Sequence, residues 1–254
     1  MRMLIDAHTH MIHPYEETYK QNMELARCRF GVDHVIVSNL QSLYPDEAEI
    51  QTLNDATYQY MQERPDFVSG LCTLNPRHEN AAQELERRLD QGFVGAKLWV
   101  ATHCDDPLVD PIARVCIDRN VPVLIHTFYK SHPGMQLPYE SLGENVANLA
   151  RRFPELKLVM AHLGASAFRE LPTVASLPNV WVDFSGSLCH ADTLPYALGL
   201  LGSKRILFGT DGPLVAFHPS IGQLLDAELT EEEREDISWR NADRLYLGGR
   251  YEKI

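Results

Sequence analysis

The chain has 254 residues, of which 44% are hydrophobic and 23% charged, and its formal net charge is -12. This composition is typical of a globular protein, the acidic balance argues against a nucleic-acid partner, and no apolar stretch is long enough to span a membrane. Five scattered cysteines without CxxC spacing, and the absence of a signal-peptide pattern, predict a cytoplasmic protein with reduced thiols. These cysteines are Cys28, Cys72, Cys104, Cys116 and Cys189.

Strand-like and helix-like segments alternate along the whole chain. Apolar, β-branched runs predict eight strands, over residues 4–10, 34–39, 67–76, 93–100, 121–128, 157–164, 180–186 and 205–213. Amphipathic stretches lie between them, and the one at 79–92 places Ala82, Leu85 and Leu89 at helical spacing. We therefore predict one α/β domain over residues 1–254, folded as a parallel (β/α)8 TIM barrel. A doubly wound open sheet is the main rival, but its glycine-rich first turn is missing.

The first predicted strand ends in the letters DAHTH. Because strand side chains alternate, Asp6, His8 and His10 are expected on one face, with Ile5 and Ala7 on the other. Two neighbouring imidazoles are costly to bury without partners and are well placed to bind a metal ion. An HxH motif alone is a weak signal, so other strand ends have to supply further ligands.

Four later predicted strands also end in potential metal ligands. Active sites of such barrels lie at the C-terminal ends of the strands, so these side chains are expected to meet those of the first strand. They are Lys97, His126, His162 and Asp211, on the fourth, fifth, sixth and eighth predicted strands. Alternation supports this convergence for His126, His162 and Asp211, because each has an apolar partner two or four residues earlier. The expected inward pairs are Leu124 with His126, Met160 with His162, and Leu207 with Asp211, which leaves Val159 and Ala161 facing the helices.

This order of motifs resembles the amidohydrolase superfamily. The segments DAHTH, GFVGAKLW, VLIHT, LVMAHLG, FGTDGP and NADRLY are similar to its amidohydrolase-related branch. That branch includes metal-dependent hydrolases, lactonases and nonoxidative decarboxylases of small carboxylated acids. The resemblance covers the whole chain. Since HxH stands at the very start, we expect a compact barrel without the N-terminal β-sandwich of many amidohydrolases.

The ligand types predict a divalent ion, with zinc preferred for imidazole and carboxylate ligands. Two arrangements stay open, and the resemblance supports both. In the first, Lys97 is carboxylated and bridges two ions. The ligands would then be His8, His10 and Asp211 for one ion, and His126 and His162 for the other.

In the second arrangement a single ion is bound. The ligands would be His8, His10, His126 and Asp211. His162 would then be free to act as a general acid or base or to stabilise an oxyanion, and Lys97 would remain an amine that contacts a substrate carboxylate. We favour this single-ion arrangement slightly.

The expected activity is that of a metal-dependent hydrolase. Water activated by the metal would attack a C–N or C–O bond of a small, carboxylated substrate, and Asp211 would take up and return the proton. The alternative is a nonoxidative decarboxylase on the same scaffold, which release of carbon dioxide would distinguish. A nuclease resembling the TatD deoxyribonucleases is less favoured, because those carry a glutamate where this chain has Lys97. A non-enzymatic barrel that only binds a small molecule is disfavoured, because the predicted metal-binding residues would then have no function.

Residues of the loops after the strands are candidates for substrate contact. They are His103, Tyr129, Lys130 and His190, together with Asp106, His132 and His218. Trp99, within the fourth predicted strand, faces inward with Lys97 and is a further candidate, with barrel packing as its alternative role. The segment after the fifth strand is longer than usual for such a barrel, which is typical of an active-site lid. We expect a small anionic substrate and no nucleic-acid or membrane partner, and homo-oligomer formation is left open.

Overall fold

Eight parallel strands follow one another in chain order around a barrel. The computed structural model describes residues 3–186 and 190–253. The strands are β1 (Ile5–Ile12), β2 (His34–Leu40), β3 (Val68–Leu74), β4 (Gly95–Leu98), β5 (Val123–Ile125), β6 (Leu158–Met160), β7 (Val180–Asp183) and β8 (Ile206–Leu207). Parallel neighbours need a crossover between them, which the helices supply. The predicted (β/α)8 barrel is confirmed.

Helices connect the strands and continue after the last one. They are α1 (Glu16–Phe30), α2 (Glu47–Glu63), α3 (Ala81–Asp90), α4 (Asp110–Asp118), α5 (Gly143–Arg152), α6 (Ala167–Val174), α7 (Thr193–Leu201), α8 (His218–Asp226), α9 (Glu231–Glu235) and α10 (Asn241–Tyr246). Gly31, at a φ of 68°, ends α1 in the left-handed conformation, and the Asp46 side chain accepts the Glu49 N–H at the start of α2. No helix in the described part of the chain combines the length and apolar character needed to cross a membrane.

The barrel closes between β1 and the segment that contains and follows β8. The Ala7 N–H donates to the Phe208 carbonyl oxygen at 2.9 Å, and the Asp211 N–H donates to the His8 carbonyl oxygen at 2.8 Å. The His10 N–H donates in turn to the carbonyl oxygen of Gly212 at 2.9 Å. The seam that joins the first and last strands therefore runs through three of the predicted metal ligands.

The hydrophobic core has two layers. A large cluster fills the space between strands and helices, and a smaller one fills the barrel interior. The inner cluster comprises Ile5, Ala7, Ile36, Leu71, Leu124, Val159, Ala161 and Leu207 from the strands, with Trp239, Ala242, Leu245 and Tyr246 from the C-terminal segment. Each fully buried aliphatic side chain of this kind stabilises the fold by roughly 1.5–3 kcal/mol.

A β-bulge in β1 changes which residues face the interior. Asp6 pairs with Val35, but Thr9 pairs with Val37, so β1 holds one extra residue between them. A bulge of this kind reverses the alternation of side chains. Ile5 and Ala7, before and at the bulge, belong to the inner cluster, and His8 and His10 also point inward. The expectation that Asp6, His8 and His10 share one face opposite Ile5 and Ala7 is therefore wrong.

The alternation predicted for the sixth strand is also wrong. Val159 and Ala161 belong to the inner cluster, whereas Met160 packs in the outer one. Strand β6 ends at Met160, and His162 follows with a left-handed φ of 59°. This turn of the backbone, and not strand alternation, directs the imidazole inward. In β5 and β8 the prediction is right, because Leu124 and Leu207 lie in the inner cluster.

The described cysteines form no disulfide. Cys28 is exposed, and Cys72, Cys104 and Cys116 are buried free thiols. Cys189 lies outside the described residues. For the four described thiols, the prediction of reduced cysteines agrees with the structure.

Candidate metal centre

Four imidazoles and one carboxylate meet at the C-terminal ends of the strands. His8 Nε2 lies 2.9 Å from His10 Nε2, and His10 Nε2 lies 3.3 Å from Asp211 Oδ1. On the other side, His162 Nε2 lies 3.3 Å from His126 Nδ1. The imidazoles of His8 and His162 face each other with centroids 4.9 Å apart. This contact connects the group of His8, His10 and Asp211 with the pair of His126 and His162. We call these five side chains the ligand ring.

Three members of the ligand ring form a compact group that can hold a metal ion. Donor atoms of His8, His162 and Asp211 lie within 4.8 Å of one another. The single-ion arrangement predicted from the sequence left His162 out. The geometry instead places its imidazole among the gathered donors, with His10 and His126 adjoining.

In each histidine of the ligand ring, one nitrogen faces the other ligands and the second, which we call the outer nitrogen, points away from them. Buried carboxylates form hydrogen bonds with the outer nitrogens of two of these histidines. His8 Nδ1 lies 3.0 Å from Asp183 Oδ2, and His126 Nε2 lies 3.0 Å from Glu140 Oε1. Burial alone would raise the pKa of Asp183, but the adjacent His8 with its hydrogen bond, and a further hydrogen bond from Ser185, outweigh that effect and hold the pKa well below its ordinary value. An ionised carboxylate only accepts hydrogen bonds, so these outer nitrogens carry the ring protons.

Serines hold the outer nitrogens of the other two histidines. His162 Nδ1 lies 2.8 Å from Ser185 Oγ and 3.3 Å from the Ser185 carbonyl oxygen, which only accepts. His10 Nδ1 lies 2.8 Å from Ser38 Oγ and 3.4 Å from the Ser38 carbonyl oxygen. These partners favour a proton on Nδ1 in both rings and leave Nε2 free.

The inward nitrogens of the ligand ring therefore carry lone pairs that face one another. In particular, His126 Nδ1 and His162 Nε2 are 3.3 Å apart with no proton assigned to either. Lone pairs repel at this distance unless a cation lies between or beside them. Histidine ligands of metals show the same pattern, with the second nitrogen donating to a carboxylate or carbonyl oxygen. The donor set thus fits a divalent metal ion.

Burial keeps His8, His10 and His126 neutral, as metal ligands must be. It lowers the pKa of His8 to about 3 and that of His126 to about 4, and it also lowers the pKa of His10. Burial would raise the pKa of Asp211, but the neighbouring imidazoles of His10, His162 and His8 outweigh it and hold that pKa far below its ordinary value. At pH 7 the ligand ring therefore offers the imidazoles of His8, His10 and His126 in neutral form together with an ionised carboxylate.

Lys97 is fully buried beside the ligand ring. Its Nζ lies 3.3 Å from His8 Nε2. Burial lowers the pKa of Lys97 to about 8, although Asp211 and Asp183 act in the opposite direction. The position suits either an amine that donates to the ring or the carboxylated form of the two-ion arrangement.

Two of the ligand-bearing loops have unusual backbone conformations. His162, Leu163 and Ala165 have φ values of 59°, 48° and 61°, and Asp211 has a φ of 62°. Left-handed conformations of residues other than glycine cost free energy and occur most often at functional sites. The backbone is thus shaped to bring His162 and Asp211 to the ligand ring.

Two adjoining cavities of about 270 and 370 Å³ open beside His162. They share Ala165, Ser166 and His190 as wall residues. The smaller one also contacts His162, and the larger one is lined by Phe128, Tyr129, Lys130 and His132. The Phe128 ring lies nearly parallel to that of His126, with centroids 6.1 Å apart. Three predicted substrate contacts, Tyr129, Lys130 and His190, therefore lie next to the ligand ring.

The other predicted contacts are not among the described residues that line these cavities. Trp99 follows β4 and is half-buried, and the ring of His103 packs edge-on against Tyr139 at 5.9 Å. Asp106 accepts the N–H of Leu108 and thereby caps a short 3-10 helix. His218 is the first residue of α8.

A family model described as "Amidohydrolase" matches residues 5–247 of the chain. This span covers every member of the ligand ring and all eight strands. The chain belongs to the amidohydrolase family. The resemblance inferred from the motifs is confirmed.

Curated relatives match at low identity. The chain is 26% identical over 245 residues to a 2-amino-3-carboxymuconate-6-semialdehyde decarboxylase of Dictyostelium discoideum, covering 76% of this chain and 64% of that protein. It is 24% identical over 243 residues to a gamma-resorcylate decarboxylase of Polaromonas, covering 76% of this chain and 74% of that protein. The chain thus spans less than two thirds of the length of the first of these relatives.

Solved structures of the family have the same barrel. A 2,6-dihydroxybenzoate decarboxylase from Rhizobium superposes with a TM-score of 0.78 at 20% identity, covering 98% of this chain and all of that one. A 5-carboxyvanillate decarboxylase from Sphingomonas paucimobilis gives a TM-score of 0.75 at 18% identity, with 97% and 99% covered. At sequence identities this low, the structural similarity establishes a shared fold and no more.

The relatives correct the activity expected from the sequence. We expected a hydrolase first and a decarboxylase second, but the curated relatives named above are decarboxylases. The two reactions use similar ligand sets, so the motifs alone did not separate them. These relatives are enzymes, as was predicted for this chain.

Sequence reasoning missed the four residues that hydrogen-bond to the ligand ring from outside, which are Asp183, Ser185, Ser38 and Glu140. A signal existed for the first two, because they stand at positions i and i+2 at the end of the seventh predicted strand, as the HxH histidines do in the first. Glu140 had no such signal, since it lies within a long loop.

Proposed function

We propose that this protein is a metal-dependent nonoxidative decarboxylase of a small aromatic or unsaturated acid. The observation that carries the proposal is its match, along 76% of the chain, to enzymes that remove a carboxylate from such acids. The ligand ring and the neighbouring cavity support it, because they combine a cation site with room for a small planar anion.

The residues that would hold the metal are His8, His162 and Asp211, with His10 and His126 beside them. A bound divalent ion would supply positive charge that orients the substrate carboxylate and a neighbouring oxygen. Zinc is the ion predicted from the ligand types. A dihydroxybenzoic acid decarboxylase from Polaromonas, 21% identical, was solved with bound manganese, so we propose that both ions be compared.

The larger cavity, which adjoins the one at His162, supports binding of an anionic aromatic substrate. Phe128 and Tyr129 offer ring faces, and Lys130 and His132 offer nitrogen donors in the same wall. The Rhizobium enzyme was solved in complex with 2,6-dihydroxybenzoate. We propose that this protein takes an acid of that chemical class, with an oxygen or nitrogen substituent next to the carboxylate.

Asp211 is the proposed proton carrier. Decarboxylation breaks the bond to the carboxylate carbon, releases carbon dioxide, and leaves an electron pair on the substrate carbon, which must then gain one proton. The Asp211 side chain is 19% exposed, whereas those of His8 and Lys97 are fully buried. Because it is ionised, Asp211 can accept a proton from the substrate substituent or from solvent and pass it to that carbon.

The test is release of carbon dioxide by protein loaded with zinc or with manganese. The candidate acids are 2,6-dihydroxybenzoate, 5-carboxyvanillate and 2-amino-3-carboxymuconate-6-semialdehyde. We expect turnover of at least one of them, reduced roughly 100-fold or more in Asp211→Asn. The matched control is Asp226→Asn, at an exposed position of α8, which should turn over like the wild type.

Metal binding is measured separately, as ions per chain, in the same samples. Protein that binds metal with full occupancy and releases no carbon dioxide from any of these acids would overturn the proposed activity. Equal turnover by Asp211→Asn and Asp226→Asn would overturn the role of Asp211.

A further inference from the structure

We propose that one buried carboxylate, Asp183, sets the tautomers of two members of the ligand ring, acting directly on His8 and through Ser185 on His162. Asp183 and Ser185 are then positioning residues of the metal site. The inference draws its functional meaning from the metal-dependent activity proposed above.

The direct contact is between Asp183 and His8. Asp183 ends β7 and is fully buried, and its Oδ2 lies 3.0 Å from His8 Nδ1. A carboxylate at this distance accepts the Nδ1–H of the ring. The opposite nitrogen, Nε2, which lies 2.9 Å from His10 Nε2 and faces the ring centre, is thereby left without a proton.

The indirect contact passes through the Ser185 hydroxyl. This hydroxyl donates its only proton to Asp183 Oδ1, so its oxygen faces His162 Nδ1, 2.8 Å away, as an acceptor. If Asp183 did not take up the hydroxyl proton, Ser185 could donate it to His162 and reverse the tautomer of that ring. The Ser185 carbonyl oxygen, 3.3 Å from the same nitrogen, acts in the same direction.

Asp183 also holds the backbone that carries these groups. Its Oδ1 accepts the backbone N–H groups of His162 and Ser185, each at 3.0 Å. The carboxylate therefore fixes the left-handed turn at His162 as well as the proton on its ring. Both effects direct His162 Nε2 into the ligand ring with a free lone pair.

The tautomers can be read without metal and without activity. Wild-type protein labelled with ¹⁵N-histidine and stripped of metal should show His8 and His162 as Nδ1–H tautomers in ring-nitrogen NMR spectra. In Asp183→Asn the new amide can donate to His8 Nδ1, so His8 should change to the Nε2–H form. In Ser185→Ala, His162 Nδ1 keeps only the backbone carbonyl oxygen of residue 185 as an acceptor, so the Nε2–H form of His162 should become populated beside the Nδ1–H form. His8 loses the Ser185 Oγ, which lies 3.0 Å from its Nδ1, but it keeps Asp183 and should remain an Nδ1–H tautomer.

The functional consequence is measured as the affinity for Zn²⁺ or Mn²⁺ in competition with a chelator. We expect roughly 10- to 100-fold weaker binding in both variants, the range typical when such supporting residues are removed. The matched control is Ser69→Ala, since Ser69 Oγ lies 3.0 Å from Nε2 of the buried His34, away from the ligand ring. The control should bind metal like the wild type.

These measurements separate the inference from the proposed function. An Nε2–H tautomer of His8 or His162 in the wild type, or metal affinity in Ser185→Ala equal to the wild type, would overturn the inference. Correct tautomers in a protein that binds no metal would overturn the metal-dependent function and leave the role of Asp183 in place. If Asp183→Asn does not fold, Ser185→Ala, which removes only a hydroxyl, decides alone.

Discussion

Glu140 Oε1 accepts a hydrogen bond from His126 Nε2 at 3.0 Å, and the other oxygen of this carboxylate lies 2.9 Å from Lys130 Nζ. The same oxygen accepts from Gln136 Nε2 at 2.8 Å. One buried carboxylate thus connects a member of the ligand ring with the lysine in the cavity wall. The orientation of the imidazole and the shape of the substrate cavity depend on the same side chain.

Replacement of Glu140 by glutamine should therefore affect metal and substrate together. Glu140→Gln removes the negative charge that pairs with Lys130 and weakens the hydrogen bond that orients His126. We therefore expect roughly 10- to 100-fold weaker metal binding and a higher KM. Chelator competition and steady-state kinetics measure the two effects. Glu144→Gln, at an exposed position of α5, is the control. Equal metal affinities of the two variants would contradict the role of Glu140.

Gly209 leaves no room for a side chain beside the ligand ring. A Cβ at this position would lie 3.0 Å from the Cβ of His8 and 3.3 Å from that of Asp183. Gly209→Ala should shift both residues, lower the free energy of unfolding by about 1–3 kcal/mol, and weaken metal binding. Gly199→Ala in α7, where nothing lies within 4 Å, should be neutral or stabilising by up to about 1 kcal/mol. Metal affinity of Gly209→Ala equal to that of Gly199→Ala would refute this account.

Lys97→Met distinguishes the one-ion and two-ion arrangements. We expect one ion per chain in both the wild type and the variant, because Lys97 then acts as an amine and is no ligand. Removal of a buried ammonium group should also raise the free energy of unfolding of the metal-free protein, on the order of 1 kcal/mol. Elemental analysis of protein prepared with bicarbonate measures the ions. A fall from two ions to one or none would establish a carboxylated Lys97 bridge.

His34 should make stability depend on pH. Burial lowers its pKa from 6.5 to about 4, with Nε2 beside Ser69 and Nδ1 3.1 Å from the Tyr251 hydroxyl. Between pH 6.5 and 4 the unfolded chain binds a proton at His34 that the folded chain does not, so its contribution to stability is lost as the pH falls through this range. His34→Gln keeps hydrogen-bonding capacity and should flatten the slope by up to about 1.4 kcal/mol per pH unit.

Denaturant unfolding of metal-free protein at several pH values between 7 and 4 measures this slope. Because the metal is absent, the comparison between wild type and variant isolates His34 from the ion. Parallel curves for the two proteins would show that His34 binds its proton equally in both states.

The barrel and the convergence of its ligands were predictable because they depend on patterns repeated over many residues. Eight apolar runs alternate with amphipathic stretches, and regular alternation in β5 correctly paired Leu124 with His126. The two errors in the predicted direction of side chains, in β1 and in β6, come from local features of the backbone. The bulge in β1 has no glycine or other local signal in the sequence, and the left-handed φ of His162 is marked only by Gly164, which follows two residues later in the same left-handed turn.

Among the residues that surround the ligand ring, some could likewise be predicted from periodic patterns and others could not. Asp183 and Ser185 follow strand periodicity and could have been inferred from the seventh strand. Glu140 reaches His126 from 14 residues away through a loop whose path no periodic pattern describes. The activity was mispredicted for a further reason, since none of the motifs that indicate metal ligands distinguishes hydrolysis from decarboxylation.

The closing seam of the barrel joins parts of the chain that are far apart in sequence. The Thr210 hydroxyl donates to Asp6 across a separation of 204 residues, and Asp211 joins His8 and His10 at the same place. A fragment that ends before β8 would therefore keep the paired histidines of β1 but lack their carboxylate partner, and β1 would remain an open sheet edge. Completion of the metal site and closure of the barrel therefore both require the two ends of the domain to be in place.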